Sequence, residues 1–242
     1  MKKNIIFVFV CLVIVFSFST ANAEYLGSME PVSSGPLWKV SMGLGYQYYS
    51  DKIEIGSTSY TLNQNQVFLE LSATVRNIEG YIRVGGADLQ VNDIFNPNIY
   101  GGKSDFKDDT FKAFLTAGGR GSIPISPNFS INPFLQATFY PDYNDHADGT
   151  IGGLPVRQEL EFSFYKVETG LLLQANLKPV TFYIGPIFYW IRGDVNKTEF
   201  EEKGNIGGAA GIKLSLGGNF SIGIEAQYRQ EFSAGGMINY SF

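Results

Sequence analysis

Strict alternation of apolar and polar residues, repeated segment after segment, restricts this 242-residue chain more than any other property. In 37–49, Trp38, Val40, Met42, Leu44, Tyr46 and Tyr48 alternate with Lys39, Ser41, Gly43, Gly45 and Gln47. A period of two places the two sets on opposite faces of a strand and cannot sit on one helical stripe. The same rhythm predicts strands over 67–76, 81–87, 110–122, 129–140, 159–175, 180–191, 206–216 and 220–229. A tenth runs through Met237-Ile238-Asn239-Tyr240-Ser241-Phe242 to the end of the sequence. In 159–175 the alternation slips at Tyr165-Lys166, where a β-bulge is expected. The intervening polar segments 50–66, 88–109, 141–158 and 192–205 are read as long loops. Asn77–Gly80, 123–128, Asn176–Pro179 and Gly217-Gly218-Asn219 are read as short turns.

Ten strands joined by alternating long and short connections fit one architecture. The expected fold is all-β: a transmembrane antiparallel up-and-down β-barrel, with eight strands as the alternative should one hairpin be misread. A soluble sandwich or lipocalin-like barrel would also alternate. The second set decides between them, because it combines Glu70, Arg76, Arg83, Lys112, Arg120, Lys166, Glu168, Lys213, Glu225 and Arg229 with many small residues. Charges of both signs among Gly, Ser and Thr suit a narrow lumen, and the uniform apolar set suits lipid. Tyr46, Tyr48, Tyr140, Tyr189, Trp190 and Tyr228 lie near predicted strand ends and are assigned to interfacial belts. The barrel is expected to span 37–242, after a short periplasmic segment at 24–36.

The N-terminus predicts export. Lys2 and Lys3 precede an apolar run over 5–18, shorter than the roughly 20 residues a spanning helix needs. Ala21-Asn22-Ala23 then fits a small-x-small cleavage pattern, so 1–23 is read as a cleaved signal peptide with Ala21 and Ala23 as its cleavage residues. Cys11, the sole cysteine, falls inside that run, leaving the mature chain without a thiol, disulfide or Cys-based metal site. The formal net charge is −5 and becomes more acidic once Lys2 and Lys3 are removed. Such a chain lacks the basic surface that nucleic acid requires.

The segments 179–189, 221–229 and 235–242 resemble the small outer-membrane β-barrel families of Gram-negative bacteria, of the OmpA/OmpX/Opa type. The resemblance is specific over these C-terminal segments and architectural upstream. It implies a location in the outer membrane, contact with outer-membrane lipid, and recognition by the barrel-assembly machinery. In that family a C-terminal aromatic and another two positions before it carry the assembly signal; Phe242 and Tyr240 match. The family shares no single activity, so it implies an address and a fold.

No catalytic set emerges. His146, the only histidine, sits in Pro141-Asp142-Tyr143-Asn144-Asp145-His146-Ala147-Asp148-Gly149. It could serve an outer-membrane protease or lipase, but neither surrounding motif is present, and a solvated loop histidine is the simpler reading. Asp142, Asn144, Asp145 and Asp148 offer hard oxygen ligands for calcium, without the spacing of an EF-hand. Glu199, Glu201 and Glu202 read as a solvated charge run. Gly118-Gly119 and Gly207-Gly208 open no helix and are strand glycines. The expectation is a non-enzymatic protein without a cofactor. It presents long loops outside the cell to an extracellular ligand or host surface, or else forms a narrow pore for small solutes.

Overall fold

The computed structural model describes residues 38–94, 105–151 and 154–242. The cleavage residues Ala21 and Ala23 and the segment 24–36 lie outside the described residues. Antiparallel strands account for nearly all of the rest: β1 (Trp38–Ile55), β2 (Thr58–Val75), β3 (Ile78–Asn92), β4 (Phe106–Gly121), β5 (Ile123–Ser126), β6 (Phe129–Ile151), β7 (Leu154–Leu177), β8 (Val180–Val195), β9 (Thr198–Glu202), β10 (Ile206–Gly217), β11 (Phe220–Tyr228) and β12 (Phe232–Ser241). β5 continues β4 past Ser122 and pairs with the same neighbour, β6. β10 pairs with β8 on one side and β11 on the other. Closure comes from β12 against β1, in register from Ser41↔Ser241 to Tyr48↔Ala234. The wall is therefore a ten-stranded ring, and the eight-stranded alternative does not describe it.

The distribution of residues is inverted relative to a soluble protein. Leu44, Leu71, Leu135, Ile184, Ile224 and Ile238 are exposed on the outside, while Glu70, Arg83, Lys166, Glu168 and Arg229 are buried within. Such an exterior is stable only against lipid, where strand backbones are satisfied by closing the ring. The chain is a transmembrane β-barrel. Tyr46, Trp190 and Tyr228 face outward as expected, joined by Trp38, Phe220, Phe232 and Phe242. Tyr140 and Tyr189 do not: both are fully buried inside the lumen.

One end carries short turns. Arg76, expected in the lumen, instead occupies such a turn with φ of 56° and is exposed. Gly217 and Gly218 take φ of 89° and 60°, the left-handed pair that a tight hairpin needs and that glycine adopts without steric cost. The other end differs from the loops expected there. β1 and β2 pair continuously to Ile55↔Thr58, so 50–66 is a hairpin turning at Gly56. β6 and β7 remain paired from Tyr143↔Phe162 to Ile151↔Leu154. The bulge in this ladder lies between Tyr140 and Tyr143, whereas β7 runs in unbroken register through Tyr165-Lys166.

β9 was not anticipated. It folds back on β8 (Val195↔Thr198 to Arg192↔Glu201) and reaches across to β1 (Ile53↔Glu202 to Ile55↔Phe200). Above the short β10–β12 segment the ring is thus closed by β9. The barrel narrows there to a collar of eight strands: β1, β2, β3, β4, β6, β7, β8 and β9.

Candidate functional site

The lumen is where the buried chemistry collects. Period-two alternation aims every second residue of β2, β3, β4, β7 and β11 inward, and the register then decides which of them meet. Glu70 and Arg83 are cross-strand partners, as are Glu79 and Arg120. Arg83 Nε donates to Glu70 Oε2 at 2.7 Å. Arg120 spans both acids, with Nε 2.8 Å from Glu79 Oε1 and Nη2 3.2 Å from Glu70 Oε1. Thr74 Oγ1 satisfies the other Glu79 oxygen at 2.9 Å. The ring of Tyr81 lies 4.9 Å from each guanidinium carbon, a cation–π contact on both.

A second quartet lies further along. Lys166 Nζ is 3.4 Å from Glu168 Oε2, and Arg229 Nη2 donates to Glu168 Oε1. Arg229 Nη1 is 3.7 Å from Asp51 Oδ2, which also accepts from the Tyr49 hydroxyl at 3.0 Å. The Tyr49 ring covers Lys166 Nζ at 4.2 Å, and Tyr189 stacks on Arg229 at 4.8 Å. Two cations face two carboxylates in each quartet, so each is neutral when fully ionised. The two are joined through Tyr81, whose hydroxyl donates to Gln136 Oε1 at 2.7 Å, and Gln136 Nε2, which donates to Glu168 at 2.5 Å. Buried charge is tolerated only under such mutual pairing.

Toward the collar the filling turns aromatic. Phe164 stacks on Tyr140 with centroids 4.4 Å apart, and Phe106 meets Phe162 at 4.8 Å. Phe200 of β9 touches Phe162 and Phe164, each at 6.1 Å. Gln66 and Gln64 donate to the Tyr140 and Tyr143 hydroxyls at 2.7 and 3.2 Å. Ile53, Leu62, Leu89, Val91 and Ile191 complete this cluster, all without solvent access. Glycines make room for the rings: a Cβ at Gly211 would stand 2.2 Å from Tyr183, and one at Gly45 2.4 Å from Phe68. The described lumen residues thus set ions at one level and rings above. A concavity of about 1150 Å³, lined by Leu44, Tyr46, Ile184, Ala210, Ile224 and Gly236, lies on the outer wall and faces lipid.

Of the lumen residues expected from alternation, Glu70, Arg83, Arg120, Lys166, Glu168, Glu225 and Arg229 are buried there, with Lys112 and Lys213 half-buried. Lys112 lies 3.6 Å from Asp108. Asp51, Glu79, Gln136 and Tyr81 complete the network, and in sequence none of them stands out from its own segment. His146 sits in the β6–β7 hairpin of the collar, half-exposed. Its Nδ1 is 2.7 Å from Arg157 Nη2 and 2.7 Å from Asp145 Oδ1. Asp145 Oδ1 also accepts from the His146 backbone amide. Among the described residues no group of three or more His, Cys, Asp and Glu gathers around a point that could hold a metal ion. The Asp148 side chain, one of the Asp142–Asp148 oxygen set, lies outside the described residues. Tyr240 and Phe242 pack edge to face at 5.0 Å, and the Phe242 amide donates to the Val40 carbonyl at 2.9 Å.

No family model matches the chain, and no curated protein matches it. Solved structures similar to it include the translocator domain of the autotransporter NalP from Neisseria meningitidis. That match has 14% identity and a TM-score of 0.49, over 88% of this chain and 90% of that one. An outer membrane channel from Pseudomonas putida F1 is similar at 9% identity and TM-score 0.49, covering 89% and 100%. The outer membrane protease OmpT from Escherichia coli is similar at 10% identity and TM-score 0.39, covering 84% and 92%.

Proposed function

We propose that this protein is a non-enzymatic, non-conducting barrel of the Gram-negative outer membrane, which holds a collar of hairpins outside the cell for a structural or surface-interaction role. The observation that carries this reading is the filled lumen. Two neutral ionic quartets and the aromatic cluster above them occupy the lumen, and open channels belong to barrels of about 16 to 18 strands. The short turns and the Phe242 end face the periplasm in this orientation, where the barrel-assembly machinery would meet Tyr240 and Phe242.

Conductance in planar bilayers tests it directly. The wild-type protein is expected to insert without steady single-channel steps; regular steps would establish the narrow pore instead. His146→Ala is expected to leave the purified protein unchanged against peptide and phospholipid ester substrates, on which the wild type is itself expected to be inactive. Hydrolysis by the wild type that His146→Ala abolishes would restore the enzyme reading.

A further inference from the structure

The two ends of the barrel carry opposite charge. On the collar Glu159, Glu161, Asp194 and Glu199 are exposed. At the short-turn end Arg76 and Lys178 are exposed, and Lys39 and Lys213 add positive charge at half-buried positions of the same rim. Among the described residues the one carboxylate side chain at that end is Glu79, which Arg120 and Thr74 already hold.

These turns are flush with the hydrocarbon edge. Arg76 and Asn77 join Val75 to Ile78, two register partners whose side chains are both exposed on the lipid-facing wall. Lys178 follows Leu177, exposed in the same way, and the outward rings of Trp38, Phe220 and Phe242 mark the edge itself. A residue one step past a lipid-facing side chain stands about 3.3 Å beyond it, and a long basic side chain extends further toward water. Both cations therefore lie at the depth of the lipid headgroups packed against this end. Arg76 also holds a φ of 56°, a left-handed conformation that Gly or Asn adopts at less cost. The Gly217-Gly218 turn shows that cheaper solution at the same end. An arginine in such a conformation is accounted for by its side chain rather than by the turn.

A guanidinium and an ammonium at that depth pair with phosphate oxygens. Zwitterionic headgroups bring a cation of their own, which a basic rim repels, so the charge selects lipids that are negative overall. We propose that the short-turn end of the barrel binds the phosphate headgroups of anionic phospholipids through Arg76 and Lys178. In the orientation proposed above those lipids belong to the periplasm-facing leaflet, and the inference rests on that membrane placement.

The test uses the chain from Glu24 to Phe242 in nanodiscs that mix phosphatidylcholine and phosphatidylglycerol in equal amounts, so the charges of Glu24, Glu30 and the Phe242 terminus are all present. Lipid that stays with the protein through mild detergent extraction is read by native mass spectrometry. Phosphatidylglycerol is expected to be retained over phosphatidylcholine. The double variant Arg76→Asn, Lys178→Gln is expected to lower that preference about tenfold, the scale on which an anionic surface attracts two cations. Asparagine suits the left-handed turn, and an intact heat shift on a detergent gel shows that the variant barrel is folded. Lys197→Gln, Lys203→Gln, a charge-matched pair on the collar, should change nothing. Equal retention of the two lipids, indifference to the rim substitutions, or an equal loss with the collar pair would each overturn the proposal. A chain that enters the disc without preferring phosphatidylglycerol defeats this inference alone. One that never enters defeats the membrane reading along with it.

Discussion

The Glu168 carboxylate, buried between Lys166, Arg229 and Gln136, matters most for what its loss would strand. Glu168→Gln leaves two cations facing Asp51 alone, and breaking a buried pair costs about 3–5 kcal/mol. A urea titration of the barrel in lipid vesicles should show the midpoint falling accordingly; Lys166→Met in the same chain should restore part of it. An unchanged midpoint would mean the quartet is hydrated rather than sealed. Gly185 makes a second test. A Cβ there would lie 2.0 Å from the Leu171 carbonyl oxygen, which cannot move without breaking the β7–β8 ladder. Gly185→Ala is expected to destabilise by about 1–3 kcal/mol, read from the same titration. At this scale the charged lumen residues were legible, because side-chain parity along a strand fixes their face once one neighbour is placed. Arg76 was misplaced because parity carries no information past the turn where the strand stops. Tyr140 and Tyr189 were misplaced because an aromatic near a strand end fits a belt and a lumen equally. Only the strands' continuation beyond the belt decides between them.

The strand extensions that form the collar look in sequence like loops. Their outward residues are mostly polar because they stand above lipid, and the inward Ile53 and Ile55 are separated from Tyr60 and Leu62 by the polar turn 56–59. β9 is the extreme case, five residues whose only apolar member is Phe200. Its anchoring is nonetheless specific. Phe200 enters the aromatic cluster, and Glu202 accepts from the Ile191 amide at 2.7 Å and from Asn205 Nδ2 at 2.8 Å. Removing the ring should free this element before any other, since at five residues β9 is the shortest strand of the collar. Phe200→Ala is expected to raise amide exchange at 198–202 and at Ile53, Glu54 and Ile55. Exchange in β10–β12 should stay slow. Simultaneous loosening of the ten-stranded wall would show that the collar and the wall are one cooperative unit. The bulge expected at Tyr165-Lys166 is not there: β7 keeps its register through both residues, and the ladder instead takes its one extra residue on β6, at Pro141-Asp142.

For the molecule as a whole, closure of β12 on β1 predicts resistance to detergent denaturation at room temperature. The unboiled protein should migrate faster than the boiled one on a detergent gel; identical migration would contradict a closed ring. Deleting Phe242 removes one backbone hydrogen bond and an exposed ring, too little to undo the fold. It is expected to lower the yield of inserted protein in cells while leaving the heat shift of the inserted fraction intact. The fold class, strand number and closing strand were legible because each strand repeats one short-range rule. The plug was not, because it depends on which inward residues meet across the ring.

That plug also bears on the order of assembly. Asp51, Glu168 and Lys166 belong to strands that precede β11 in the chain, whereas Arg229, the partner of both carboxylates, lies just past the end of β11. Until β11 arrives, this region holds an uncancelled negative charge that no apolar interior would tolerate. The interior there stays hydrated until Arg229 is in place. The counter-charge comes in with β11, so this region dries only as that strand joins the ring.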